Sequence, residues 1–152
     1  MRGGVPIAAC IAAIAMVGAG GLRLAADLLD IPGDGAARAL RANGPFLSDA
    51  PGLVLATRTG SLRIHPSAER QFAVGRARMA AKVASEFARG GAAGAFAEGL
   101  RLAPARGTAW AEYARALRSA GRDGDALAAY EMSVRRAPHD PVARRLRSSP
   151  AW

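Results

Sequence analysis

Phe96-Ala97-Glu98-Gly99-Leu100-Arg101-Leu102-Ala103-Pro104 and Tyr130-Glu131-Met132-Ser133-Val134-Arg135-Arg136-Ala137-Pro138 decide the fold. Their closing prolines stand thirty-four residues apart. Aromatic aligns with aromatic, small residue with small residue, Arg101 with Arg135, and Ala-Pro closes both stretches. Self-similarity at this period marks a helical-hairpin repeat, in which each unit buries its apolar face on its neighbour.

Working outward, Trp110, Tyr113 and Leu117 fall on one helix face by their three- and four-residue spacing. Ala114 and Ala126 are small where two helices must approach, Tyr130 fills the space beside them, Gly121 turns the chain and Pro138 ends the hairpin. Ser67 is an expected N-cap for a long helix running through Phe72, Met79, Val83 and Phe87 to a break at Gly90-Gly91. A second helix is expected from Ala92 to about Ala103 and a third from Thr108 to Ala120. A fourth follows over Gly124 to Ala137, capped by Asp123, and a last over Val142 to Ser148 behind Asp140-Pro141. Trp152 is either a plug on this last helix or part of a loose tail.

The composition agrees with helices. Ala, Gly, Arg and Leu dominate the 152 residues, aromatics make up 5%, and β-branched residues are scarce after the N-terminal segment. The formal charge of +9 is uneven: residues 63–152 carry fifteen Arg and one Lys against eight acids, net +8. Such a domain can attract nucleic acid, anionic lipid or an acidic protein segment, or can simply present a solvated basic surface.

Val5 to Leu22 is an uncharged run of eighteen residues, the lower limit for a membrane span, and Leu24 to Ile31 extends it past a snorkelling Arg23. An uncleaved anchor is the favoured reading; a cleaved signal peptide ending near Val17-Gly18-Ala19 and a buried soluble helix remain open. Small residues four apart (Ala8 and Ala12, Ala15 and Ala19) would let another membrane helix approach. Cys10 has no partner for an internal disulfide, and only six residues precede Ile7-Ala8-Ala9-Cys10, too few for the apolar region that processing to a lipoprotein requires. The chain thus divides into 1–31 (membrane or signal helix), 32–66 (junction) and 67–152 (repeat domain). In the junction, Asp34 is expected to cap a short helix over Ala36–Ala42, ended by Asn43-Gly44-Pro45. Leu53-Val54-Leu55 and Leu62-Arg63-Ile64 fit either a hairpin or further helix.

The unit 107–140 resembles the tetratricopeptide repeat family through Trp110, Tyr113, Ala114, Leu117, Gly121, Ala126, Tyr130, Ser133 and Pro138. Residues 73–106 form a weaker copy, departing at Arg76 and Phe87, and 141–148 would be a terminal helix. The resemblance implies a short all-α hairpin-repeat domain, and with the apolar run before it the expectation is an all-α chain, a transmembrane helix followed by that domain. Two and a half units are fewer than the three usually needed, so residues 35–64, a second copy or a partner must cover an open end. The resemblance further implies a concave groove built from Val74, Ala77, Ala81 and Ala84 in one unit and Thr108, Ala111, Arg115 and Arg118 in the next, extended by Arg145. Arginines there suit an extended segment bearing acidic groups.

No chemistry of a reaction is legible. His65 and His139 stand beside prolines, no Cys or acidic cluster has metal-ligand spacing, and Gly90–Gly94 lacks the lysine of a phosphate loop. Neither an enzyme nor a cofactor is expected. The functional expectation is a membrane-anchored interaction adaptor or assembly factor of the bacterial cell envelope. It would sit in the inner membrane as a single-pass protein with a periplasmic C-terminal domain, and the alternative is an accessory structural subunit of an integral-membrane complex. The expected partners are another protein and, through residues 5–31, lipid. Nucleic acid is not expected, because an anchor is present and interleaved aromatics are not.

Overall fold

The computed structural model describes residues 4–42, 49–81 and 86–148, and side chains outside 4–10 and 86–90. The fold is all-α, with no strand among the described residues. α1 spans Gly4–Asp30 and passes through a 3-10 turn, Ile31–Gly33, into α2, Asp34–Ala42. α3 spans Ala50–Ile64, α4 Ala68–Ala80, α5 Glu86–Leu102, α6 Gly107–Ser119, α7 Asp123–Arg136 and α8 Pro141–Arg147. α4 pairs with α5 and α6 with α7; α5 packs on α6, and α8 closes on α6. This is a stack of helical hairpins, the repeat architecture the thirty-four-residue period required.

The core of the stack is small-residue packing around a few large groups. Ala92, Ala93, Ala109, Ala114, Ala116, Leu117, Ala126 and Ala129 are buried with Phe72, Phe96 and Leu100, while Trp110, Tyr113 and Tyr130 cover them as half-buried groups. Trp110 meets Tyr113 edge-on at 6.1 Å and donates its indole N–H to the Pro104 carbonyl at 2.9 Å. The Phe72 and Phe96 rings stack with centroids 6.3 Å apart. Each ring lies over a glycine of the other's helix. A Cβ on Gly75 would stand 2.8 Å from the Phe96 ring, and one on Gly99 would overlap the Phe72 ring. α4 and α5 come this close because neither glycine has a side chain.

The helix ends follow their local chemistry. Ser67 Oγ accepts from the Arg70 amide at 3.3 Å, and Asp140 Oδ1 accepts from the Val142 and Ala143 amides at 2.8 and 3.0 Å, with Pro141 in the first turn. Gly121, at φ 74°, closes α6: its N–H reaches the Arg118 carbonyl and that of Arg122 reaches the Leu117 carbonyl. That pair of bonds is a Schellman closure, which glycine forms without steric cost.

Several sequence-based expectations change. The break in the first hairpin does not lie at Gly90-Gly91. α4 stops at Ala80, Ala81 is extended, and α5 runs through both glycines. The Gly91 carbonyl is held there by Arg78 Nη1 at 2.5 Å, and burial of Ala92, Ala93 and Phe96 outweighs a cost of about 1 kcal/mol per helical glycine. Asp123 does not cap α7; it is its first residue, and the cap position belongs to Arg122. Asp34 likewise begins α2 and uses its carboxylate elsewhere. The two apolar patches of the junction are helix, not hairpin: Pro51, Val54, Arg58 and Ser61 form the buried face of α3 at helical spacing. α2 and α3 then cover α4, Ala37, Leu40 and Val54 packing on Ala73 and Ala77. The open end left by two and a half units is therefore closed at the α4 side by α2 and α3. The turn at Asn43-Gly44-Pro45, the residues Ala84 and Trp152 and the side chains of Ala8, Cys10, Val83 and Phe87 lie outside the described residues.

The glycine–phenylalanine interlock has a measurable consequence. Gly99→Ala is expected to destabilise the protein by about 1–3 kcal/mol in denaturant titration, overpacking against Phe72 exceeding the gain in helix propensity. Gly94→Ala, in the same helix but facing open space, is expected to be neutral or stabilising by up to ~1 kcal/mol.

Candidate functional surfaces

Three arrangements concentrate charge. The first joins α1 to the hairpin stack. Asp30 is buried at the end of α1, where its carboxylate receives Arg58, Arg70 Nε at 2.7 Å and Ser61 Oγ at 2.7 Å. Arg70 also reaches Asp27 at 2.5 Å and the His65 carbonyl at 3.0 Å, with His65 Nδ1 3.2 Å away, and Arg58 reaches Asp34. Ala26 is buried one turn earlier. The last two turns of α1 are thus clasped to α3 and α4 by interlinked ion pairs in a low-exposure site, and Arg58 Nε is left without an acceptor. The sequence carried a signal for this clasp. Asp27, Asp30 and Asp34 are spaced three and four apart on one helical face, and Arg58 and Ser61 three apart on another.

Upstream of the clasp, α1 is solvent-facing and apolar: Ile11, Ile14, Met16, Val17, Leu22 and Leu24 are all exposed, as are Ala12, Ala15 and Ala19. By length and composition, the helical path from Ile11 onward is long and apolar enough to cross a membrane.

The second arrangement is a cleft of about 180 Å³ between α2, α4, α6 and α8, walled by Leu40, Met79, Phe96, Val142 and Leu146. Arg76 spans its floor to Glu112, Nε and Nη2 reaching the two carboxylate oxygens at 2.6 and 2.9 Å. This bidentate pair explains the repeat's departure at Arg76: where the second unit carries Trp110, the first ties itself to the second by charge. Of the groove residues expected from sequence, Arg115 is half-buried on this cleft and Thr108 is half-buried on the same helix. Ala111 is wholly buried, and Val74 and Ala77 are buried, Ala77 in the cluster shared with α2 and α3. Arg118 lies on a separate depression with Asp123, Ala126 and Leu127, and Arg145 is exposed on α8. The structure thus gathers Arg115 with the cleft and distributes Arg118 and Arg145 elsewhere.

The third is the outer edge formed by the end of α7 and by α8. Arg135, Arg136, Arg144 and Arg145 are exposed there. Arg147 is drawn inward, its guanidinium donating to the carbonyls of Ser133 and Ala137, each at 3.2 Å. Among the described residues, no group of three or more His, Cys, Asp or Glu could hold a metal.

The described residues thus form an all-α stack of helical hairpins that carries charge on its edges. The profile of the bacterial transcriptional activator domain family matches residues 20–140, and the chain belongs to that family. No curated protein and no solved structure matches the chain. The match confirms a helical-repeat fold and sets it in a family defined by transcription rather than by a reaction.

This membership corrects the functional expectation. The chain is not an adaptor or assembly factor of the cell envelope anchored in a membrane, nor is the alternative of an accessory subunit of a membrane complex supported. The expected partners, another protein's acidic segment and lipid to the exclusion of nucleic acid, fall with it. Two physical judgements misled. The apolar run says nothing of transcription; the match begins at residue 20, inside α1, and the clasp joins the end of that helix to the hairpin stack. Missing aromatics argued only against stacking on single-stranded bases; duplex phosphates are bound by charge alone.

The clasp can be tested directly. Asp30→Ala leaves two buried guanidiniums without their shared carboxylate and is expected to cost about 3–5 kcal/mol in denaturant titration. Arg101→Ala, which breaks an exposed pair with Glu98, is expected to change stability by less than ~1 kcal/mol.

Proposed function

We propose that this protein is a helical-repeat regulatory domain of transcription activation, acting as a rigid platform and not as a catalyst. The observation that carries the reading is the family match across α1's clasped end, both hairpins and the turn into α8. The geometry suits the role. A hairpin stack offers broad fixed edges, and the domain's surplus of arginine lies on those edges and not in an enclosed site. We further propose that the two hairpins pack in the tetratricopeptide manner. Supporting this, Ala114 and Ala126 are buried at the α6–α7 contact, Trp110, Tyr113 and Tyr130 cover it, and Gly121 turns between the helices.

The test is transcriptional. The full chain, fused to an unrelated DNA-binding module whose operator lies upstream of a weak bacterial promoter, is expected to raise reporter transcript several-fold over the module alone. The fusion carrying Gly99→Ala should lose part of that effect. Unchanged transcript from a fusion that accumulates and retains its helical circular dichroism would overturn the reading.

A further inference from the structure

We propose that the edge formed by Arg135, Arg136, Arg144 and Arg145 is a contact surface for the phosphate backbone of duplex DNA, an inference that rests on the transcriptional reading above. The argument begins with where the other arginines go. Arg58 and Arg70 are consumed by Asp27, Asp30 and Asp34, and Arg76 by Glu112. Arg41 and Arg106 share Glu69, Arg101 takes Glu98 and Arg122 takes Asp125. Arg63 and Arg115 make no ion pair with a described residue but lie on separate helices, α3 and α6, whereas along the α7–α8 edge such arginines gather. Arg135 stands 4.0 Å from Glu131 with both side chains largely exposed, and the guanidiniums of Arg136, Arg144 and Arg145 make no ion pair or hydrogen bond with any described residue.

The two acids of the segment cannot neutralise the four. Glu131 lies five residues back from the end of α7 beside Arg135, and the Asp140 carboxylate is engaged by the first amides of α8. Cations at a helix C-terminus are favoured by the backbone dipole, and Arg147 takes that role, its guanidinium bonded to the carbonyls that end α7. Those same bonds brace the turn between the two helices, so the remaining four arginines project from a fixed corner and not from a loose tail.

The chemistry of the edge selects its partner. α8 buries Ala143 and Leu146 inside the fold and leaves Val142 as its one exposed large apolar side chain, too little for an apolar face to lay into a lipid surface. No Phe, Tyr or Trp lies between Glu131 and Ser148, which leaves no large stacking platform of the kind single-stranded nucleic acid requires. That stretch also lacks Asn and Gln, and its arginines project from the end of one helix and from a seven-residue helix, so no long helix carries them along a groove past successive base edges. What fits is a row of duplex phosphates, bound with little regard to sequence.

The experiment is fluorescence anisotropy of a labelled duplex of about two helical turns, titrated with the full chain over a series of KCl concentrations. Four phosphate contacts at about 0.9 counterion each predict a slope of log Kobs against log salt near −3.6. The variant R136A/R144A/R145A, its helicity checked by circular dichroism, should bring the slope to about −1 and weaken binding more than tenfold at moderate salt. Arg38→Ala and Arg63→Ala, elsewhere on the surface, should leave it unchanged. A slope that survives the triple substitution overturns the proposal, and so does binding to anionic vesicles with none to duplex. A chain that activates the tethered reporter yet fails to bind duplex loses this surface and keeps its transcriptional role; failure in both assays removes both.

Discussion

The closeness of α4 and α5 is the constraint on which the rest of the fold depends. Two phenylalanines in an alanine-rich core can be buried only if something opposite each ring is missing, and Gly75 and Gly99 supply that absence in reciprocal fashion. The approach sets the width of the first hairpin. The second hairpin meets the first along α5 and α6 and through the bidentate Arg76–Glu112 pair, and α2 and α3 lay their small residues against the back of α4. With few large side chains to share, the core is held by short distances between backbones and not by bulk. Dispersion over many close atom pairs then does what a few large groups do in other folds.

Charge is divided between two uses. On the N-terminal side, arginine acts as an internal fastener: Arg58 and Arg70 are buried against aspartates of α1 and α2, where a guanidinium can serve several oxygens at once. On the C-terminal side the same residue type is left in solvent. A formal charge alone cannot separate these uses, since a buried and an exposed arginine count equally. The distribution of partners does separate them, and it turns a diffuse net charge into a corner with a direction.

Much of the fold was legible because the repeat is punctuated. Pro104, Gly121, Pro138 and Pro141 stop and start helices for reasons local to the backbone, so α6, α7 and α8 fall within a residue or so of their expected limits. Legibility failed where tertiary packing overrode punctuation. Gly90-Gly91 reads as a turn but is carried inside α5 by the burial of the residues that follow, and the patches at Leu53 and Leu62 are too short for periodicity to assign before the buried face of α3 is known. At the candidate surfaces, the arginines were visible but their fates were not. Arg115 and Arg118 sit one turn apart on α6 yet address different hollows, the first bounded by α2, α4 and α8 and the second by α7. The role was the least legible, because a hairpin stack carries no residue pattern that marks transcription.

The clasp at Asp30 has a mechanical side. A helix of 27 residues at ~1.5 Å per residue is an arm of about 40 Å, and here its fulcrum is the buried carboxylate near its C-terminal end. A sideways push at the distant tip is resisted chiefly where α3 and α4 grip the final turns, so torque enters the hairpin stack through Arg58 and Arg70. An ionic joint of this sort is directional: it tolerates rotation about its axis poorly, since each guanidinium must stay in register with its oxygens.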